Sequence, residues 1–217
     1  MYKHFLKRLF DVIIATIGFI IVSPVLLIVA IAIKIDSKGP IIFKQKRLGK
    51  NGKVFNMYKF RSMVVNAEAG GVYSDNKDPR VTKVGNFLRK TSIDELPQFI
   101  NIIKGDMSFI GFRPPLTYHP WPIEEYTEEQ KKMFNVRPGI SGWAQVNGRK
   151  TVEWHKRIEL NVWYAENISF LLDCKIVFMT IFKVLKNSDN ENVGASLSDD
   201  KSAEEVNAPN LQESEEI

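Results

Sequence analysis

Three features of the 217-residue chain predict an α+β, mostly helical fold. Val12–Ile33 is a 22-residue run without a charge, with Ser23-Pro24 at its midpoint. Two short strand patterns flank a glycine-bearing turn, and most of the remaining apolar residues recur at helical spacing. The expected organisation is a re-entrant membrane helical hairpin over residues 1–36. A compact domain over 37–187 follows, with a small β-hairpin and surface amphipathic helices, and then an acidic, disordered tail over 188–217.

The first segment is long enough to cross a membrane, since about 20 apolar residues span the hydrocarbon core. Its flanks and its midpoint argue for a return instead. Lys3, Lys7 and Arg8 precede it and Lys34, Lys38 and Lys44 follow it, and basic residues prefer the cytoplasmic side. Proline removes a helical hydrogen bond and clashes with the preceding turn. The halves on either side of Pro24 have the length of a segment that enters and leaves one leaflet. The Ser23 hydroxyl can satisfy the carbonyl freed at the break. A single span with a proline kink is the competing topology. A cleaved signal at Ala30-Ile31-Ala32 is disfavoured by the length of the run and by Asp11 at its start.

Beyond the hairpin, Ile41–Gln45 and Val54–Lys59 read as strands around Arg47–Gly52. Gly70-Gly71 and Asp78-Pro79 mark a loop. Val81–Lys90 is a short helix. A stronger one starts at Ser92, where Ser92-Ile93-Asp94-Glu95 fits a capping box, and Gly105 ends it. Pro114-Pro115 and Pro120 to Pro122 impose an extended connection. Glu124–Phe134 reads as a charged surface helix, and Arg137–Gly148 as a glycine-punctuated loop. Thr151–Glu166 and Ser169–Lys186 are two further helices. The last is mostly apolar but carries Asp173 and Lys175, so it packs in a core or lies at a bilayer surface.

Charge divides the chain. Residues 187–217 carry a net −8 and residues 1–186 a net +13. A basic body suits anionic lipid or phosphate-bearing substrates. Nucleic acid is excluded by the lack of a zinc finger, an RNP-type aromatic motif or a helix-turn-helix pattern. His4, His119 and His155 are scattered, against a zinc site. The lone Cys174 forms no internal disulfide, and its apolar surroundings suggest a core role.

The densest chemistry lies in Arg89-Lys90-Thr91-Ser92-Ile93-Asp94-Glu95-Leu96-Pro97-Gln98. Adjacent carboxylates in a helix's first turn can simply complement the dipole and complete a cap. A carboxylate held ionised beside phosphate can equally act as nucleophile or metal ligand. On the bland reading the protein is a membrane-anchored, non-catalytic scaffold.

The surrounding strings favour chemistry. Asp78-Pro79-Arg80-Val81-Thr82-Lys83-Val84-Gly85 precedes the cluster, and Gly105-Asp106-Met107-Ser108-Phe109-Ile110-Gly111-Phe112-Arg113-Pro114 follows it. Val136-Arg137-Pro138-Gly139-Ile140-Ser141-Gly142-Trp143-Ala144-Gln145-Val146-Asn147-Gly148-Arg149 comes next. With Ser23-Pro24, this ordered set resembles the bacterial sugar transferases, the monotopic polyprenyl-phosphate phosphoglycosyl transferases, over roughly residues 3–187. The resemblance implies transfer of a sugar 1-phosphate from a UDP-sugar to undecaprenyl (polyprenyl) phosphate, at the cytoplasmic face of the bacterial cytoplasmic membrane. It implies Asp94 as nucleophile, Glu95 as a catalytic residue and Mg²⁺ ligand, and release of UMP. Lys59, Arg89, Arg113 and Arg137 become phosphate contacts, with Asp106 and Asp173 holding arginines in place. Trp143 and Gln145 become pocket-lining residues. Phe112 stands where the family's Gly-Pro-Arg-Pro has proline, and Asn161 stands where many members have Asp. Residues 64–78 and 115–135 carry no pattern that names the sugar.

Overall fold

The computed structural model describes residues 2–67, 71, 78–147 and 153–186. The acidic tail, most of the Gly70-Gly71 loop and the Gly148-Arg149 end of the last motif lie outside the described residues. After a π-helical turn at Tyr2–Leu6, helix α1 runs over Lys7–Asp36 with Pro24 inside it. It is long and apolar enough to cross a membrane. The helix–break–helix expected at Ser23-Pro24 is thus one continuous helix. Pro24 cannot donate to the Ile20 carbonyl four residues back, and the Ser23 hydroxyl donates to that carbonyl instead, at 2.8 Å. This substitution lets the helix continue through a proline.

Both ends of α1 are fastened to the folded body. At the start, the Arg8 guanidinium donates to the carbonyls of Ile102 and Ile103 at 2.6 and 3.1 Å. The buried Asp11 carboxylate accepts from the Phe109 amide. At the finish, Asp36 accepts from the Val84 amide. The buried Arg61 donates to the carbonyls of Ser37 and Lys38 just past the helix end. Between these fastenings the outer face is apolar and exposed, with Ile20, Ile21, Leu27, Ile28 and Ile35 the most open.

Strands β1 (Ile42–Leu48) and β2 (Val54–Phe60) form an antiparallel hairpin, with Leu48 opposite Val54 and Lys44 opposite Tyr58. Helix α2 (Lys83–Thr91) is capped by the Thr82 hydroxyl, which accepts from the Gly85 amide. Helix α3 (Gln98–Lys104) ends on Gly105 at φ +97°, a left-handed position suited to glycine.

The fully buried Asn101 joins α3 to β2. Its Oδ1 accepts from the Tyr58 amide at 2.9 Å, while its Nδ2 donates to the Asn56 carbonyl at 2.7 Å and to Asp106. These bonds use the strand edge that β1 leaves open.

A second, two-stranded sheet was not anticipated. Strands β3 (Ser108–Ile110) and β4 (Gly139–Ser141) pair in parallel inside what reads as a connection and a glycine loop. Their contact requires glycine: a Cβ on Gly139 would lie 2.2 Å from the Gly111 nitrogen, and one on Gly142 would lie 1.8 Å from the Gly111 oxygen. The expected surface helix over Glu124–Phe134 is also broken up. Ile123–Glu125 is a 3₁₀ turn, α4 spans only Glu128–Lys131, and Lys132–Asn135 turns inward to bury Met133 and Phe134. Apolar residues at the end of a charged stretch override its helical pattern when a core is in reach. Short helix α5 (Trp143–Val146) leads to α6 (Trp154–Glu166) and α7 (Phe170–Lys186).

The main core gathers Phe112, Tyr126, Phe134, Ile158, Tyr164 and Ile176. Helix α7 takes the core role expected of it on one face. Asp173 and Ile176 face this core, while Leu171, Phe178 and Phe182 are exposed. Phe170 contacts Phe10 of α1, so the exposed apolar faces of the two helices adjoin.

Asn101→Ala removes both partners of a strand edge without replacing them. Leaving an amide and a carbonyl unsatisfied predicts a loss of about 2–4 kcal/mol, read as a lower denaturant midpoint with unchanged slope.

Candidate active site

The turn between α2 and α3 carries the two carboxylates. Ser92 does not cap the following helix, as the sequence pattern suggests. It ends α2 in the left-handed conformation (φ +58°) and makes no side-chain cap bond. Two signals compete here, and the helix stop wins: the Ser92 amide donates to the Arg89 carbonyl, and Ile93 packs beside Leu88. Ile93–Glu95 then forms a single 3₁₀ turn before α3.

The Glu95 side chain is accordingly not spent on a cap. Its Oε1 lies 2.8 Å from Lys59 Nζ, on β2, and 3.7 Å from an Arg113 nitrogen. The capping explanation for this acidic pair therefore fails for Glu95.

Asp94 is partly buried, and burial raises its pKa above the ordinary aspartate range. Lys59, Arg89 and Arg113 pull it down, and the neighbouring Glu95 charge adds to the rise. A helix N-terminus would lower a carboxylate pKa, but only a short 3₁₀ turn is present here and desolvation outweighs it. Arg89 in the last turn of α2 donates to the Ser62 hydroxyl, and its pKa is lowered by its own burial.

Lys59, Arg113, Gln98 and Pro114 line a cavity beside the cluster together with Arg47. Sequence reasoning missed Arg47 as a positioning residue. Its guanidinium donates to the Pro114 carbonyl, while the Leu48 amide donates to the Pro115 carbonyl, so β1 holds the Arg113 segment. Gln98 and Asn101 were missed as well. A buried polar residue one turn into a helix after an acidic pair was the available signal. Phe112, the departure from the proline pattern, is fully buried edge-on to Phe134, and its carbonyl accepts from the Gly139 amide. Packing thus fixes the backbone before Arg113 in place of a proline ring.

The remaining candidates lie elsewhere. Arg137 donates to the Gly105 carbonyl and lines a different pocket, with Lys3, Lys7 and Arg8. The Gln145 carboxamide is buried without a hydrogen-bond partner, close under Gly142. Trp143 stacks on Trp163 and serves packing. Asp106 and Asp173 do not hold arginines through their hydrogen bonds. Asp106 accepts from Asn101, and Asp173 accepts from Tyr2, Lys7 and Tyr164. Asn161 is buried with an unpartnered Oδ1.

For the Mg²⁺ expected at Glu95, the available donors are the two adjacent carboxylates. Among the described residues no group of three His, Cys, Asp or Glu could hold a metal. This set fits Mg²⁺ in the mode in which protein supplies one or two carboxylates and substrate phosphates and water supply the rest.

Asp94 gives a stability test whose sign is fixed by its raised pKa. Below the unfolded pKa both states are protonated, and the wild type is at its best relative to Asp94→Asn. As pH rises through the folded pKa the wild type loses stability that the variant keeps. Thermal melts should coincide more closely at acid pH, with Asp94→Asn melting higher at pH 7.

The sequence model of the bacterial sugar transferase family matches residues 2–187. The chain is 45% identical over 191 residues to a UDP-glucose:undecaprenyl-phosphate glucose-1-phosphate transferase of Escherichia coli K12, covering 85% of this chain and 41% of that protein. It is 43% identical over 185 residues to a UDP-N-acetylgalactosamine-undecaprenyl-phosphate N-acetylgalactosaminephosphotransferase of Aeromonas hydrophila, covering 83% and 44%. Against the uncharacterized sugar transferase EpsL of Bacillus subtilis, identity is 44% over 180 residues, covering 83% and 87%. The chain thus spans less than half of the first two relatives and most of the third. It belongs to the bacterial sugar transferase family.

Proposed function

We propose that the protein transfers a sugar 1-phosphate from a UDP-sugar to undecaprenyl phosphate through a covalent aspartyl intermediate, the first membrane step in assembling a surface polysaccharide or glycoconjugate. The observation that carries this reading is the Asp94–Glu95 turn. One carboxylate is desolvated, its neighbour is ion-paired, and Lys59, Arg89 and Arg113 converge on them.

In the first step an Asp94 oxygen attacks the sugar-linked phosphorus. A P–O bond forms to the carboxylate, the bond to the bridging oxygen breaks, and UMP leaves with that oxygen. In the second step an oxygen of the lipid phosphate attacks the same phosphorus. Asp94 departs as a carboxylate, and the product is undecaprenyl-diphosphate-sugar. Phosphoryl transfer depends more on in-line positioning and on neutralised oxygens than on proton transfer. Arg113 is half-exposed at the cavity mouth, where its planar fork suits bidentate phosphate contact. Lys59 lies deeper, where its charge offsets the developing charge on the transferred group. Glu95 would hold Mg²⁺, which supplies charge neutralisation on the diphosphate when bound. The Asp94 desolvation matters because a poorly hydrated carboxylate is the stronger nucleophile toward an arriving phosphoanhydride.

A cytosolic donor and a membrane acceptor meet only at the headgroup level. The proposed topology is re-entrant, with both ends of α1 at the cytoplasmic face, supported by the fastening of both ends to one domain. Single cysteines placed near Met1 and Gly52 should both react with an impermeant thiol reagent from the cytoplasmic side only. Opposite-side labelling would reject the topology.

In membranes given a panel of UDP-sugars and undecaprenyl phosphate, Asp94→Asn should lower UMP release at least a thousandfold, as expected for loss of a nucleophile. Radiolabelled sugar phosphate should remain on wild-type protein in the absence of lipid. The activity of the wild type should fall with acid, on a limb displaced above that of an ordinary aspartate, because the ionised form attacks. Normal turnover by Asp94→Asn would favour a one-step transfer, and absence of UMP release from the wild type would favour a scaffold.

A further inference from the structure

A second cationic pocket opens at the start of α1, apart from the Asp94–Glu95 cluster. Lys3, Lys7, Arg8, Lys50 and Arg137 line it, with Ser108 at its wall. Asp11 is the one acidic residue among the lining groups, and its Oδ1 already accepts from the Phe109 amide.

The cations are held mainly by neutral groups. Arg8 donates to the Ile102 and Ile103 carbonyls, Arg137 to the Gly105 carbonyl and Lys3 to the Ala165 carbonyl. Lys7 is the exception, paired with Asp173 at 2.7 Å. The two guanidiniums crowd one spot: an Arg8 nitrogen lies 3.3 Å from where a Gly105 Cβ would sit, and Arg137 binds that residue's carbonyl. Like charges fixed this closely on carbonyls leave a positive site that an anion relieves.

A second observation points the same way. Ser108 is 1% exposed, and its hydroxyl has no hydrogen-bond partner although it lines the pocket. Buried hydroxyls are normally satisfied, and an orphan beside clustered cations is a donor suited to an oxyanion.

The surroundings identify the kind of anion. Phe5, Leu9, Phe10 and Ile13, from the same helical turns that carry Lys7 and Arg8, are exposed. A soluble phosphate gains nothing from apolar side chains exposed on the same turns, whereas a lipid with its headgroup in the pocket leaves its chain to run along the exposed apolar surface of α1. We infer that the pocket of Arg8, Arg137 and Ser108 is a binding site for the phosphate headgroup of a membrane lipid, distinct from the sugar-phosphate site.

The test is native mass spectrometry of the full-length protein in neutral detergent. It is titrated separately with phosphatidylglycerol, farnesyl phosphate, phosphatidylcholine and inorganic phosphate. A single phosphatidylglycerol or farnesyl phosphate adduct, retained over phosphatidylcholine, is expected, and the preferred one tells whether a phosphodiester or a phosphomonoester lipid is the source. Arg137→Gln should weaken it about tenfold, as for one charge-assisted contact, and Ser108→Ala about threefold. Ser108→Ala keeps the test decisive should the arginine variant fail to fold. Unchanged retention in Ser108→Ala and Arg137→Gln, or binding of inorganic phosphate without any lipid adduct, overturns the inference. Asp94→Asn should keep the adduct while losing UMP release, so failure of the lipid site and failure of the aspartyl mechanism are read separately.

Discussion

The attachment of one long apolar helix to a single folded body at both of its ends governs the rest of the structure. At the first attachment Arg8 takes two last-turn carbonyls of α3, that of Ile103 and that of Ile102, the latter shared with the Gly105 amide. At the second, Asp36 takes an amide from the first turn of α2, the complementary set of unsatisfied groups. The turn bearing Asp94 and Glu95 joins these two helices. The acidic pair is therefore strung between the two points where the apolar helix is anchored, and its distance from that helix is set by two short helices and one turn. Buried residues repeat the pattern: Ala15 packs with Ile102, and Val29 and Ile33 pack with Leu88.

Charge balance at the acidic pair follows from the β-hairpin. Asn101 fixes β2 against α3, and Lys59 projects from that strand to Glu95. Arg47 fixes the Arg113 segment against β1 in the same way. Two carboxylates thus face three cations drawn from β2, α2 and the loop after β3. Burial still raises the Asp94 pKa against all three attractions, so desolvation is the largest influence on this group. A site that holds a carboxylate with little water and nearby cations is arranged for a ligand that brings its own negative oxygens.

Local signals made part of this legible in the sequence. Gly105 ends α3, and Ser23 takes the carbonyl that Pro24 frees, because both effects are decided within one helical turn. The antiparallel hairpin is likewise set by a short turn. Asp94, Glu95, Arg89 and Arg113 were legible through their ordered strings, and the structure brings them together with Lys59. Non-local effects were not legible. Strands of three residues separated by a 28-residue connection leave no alternation to read, and what permits β3 and β4 to touch is glycine at both sides of the contact. Ser92 carried a valid helix-start pattern, but the stop of α2 claimed the same residue. Arg137 belongs with residues at the far end of the sequence, Lys3 to Arg8, an association no spacing rule anticipates.

The contacts of α1 also bear on how much of it lipid can surround. The body reaches the helix as far as Gly18, where Phe99 lies 3.0 Å from the position of a Cβ, and again from Leu26, which packs against the cluster of Phe60 and Leu88. Phe19–Val25 lies between these contacts, seven residues or about 10 Å of helix. A full crossing needs about 30 Å of apolar helix. To span, the helix would have to draw the flanking contacts into hydrocarbon, with Asp11 and Arg8 at one end or Asp36 and Arg61 at the other. Buried charges of this kind are tolerated only with their hydrogen-bond partners, and those partners are backbone groups of the domain itself. Moving one end to the opposite face would strip two charged side chains of their partners. The proposed re-entrant topology keeps both ends on one side and strips none, and the Ser23 hydroxyl satisfies the backbone at the Pro24 position within the helix itself.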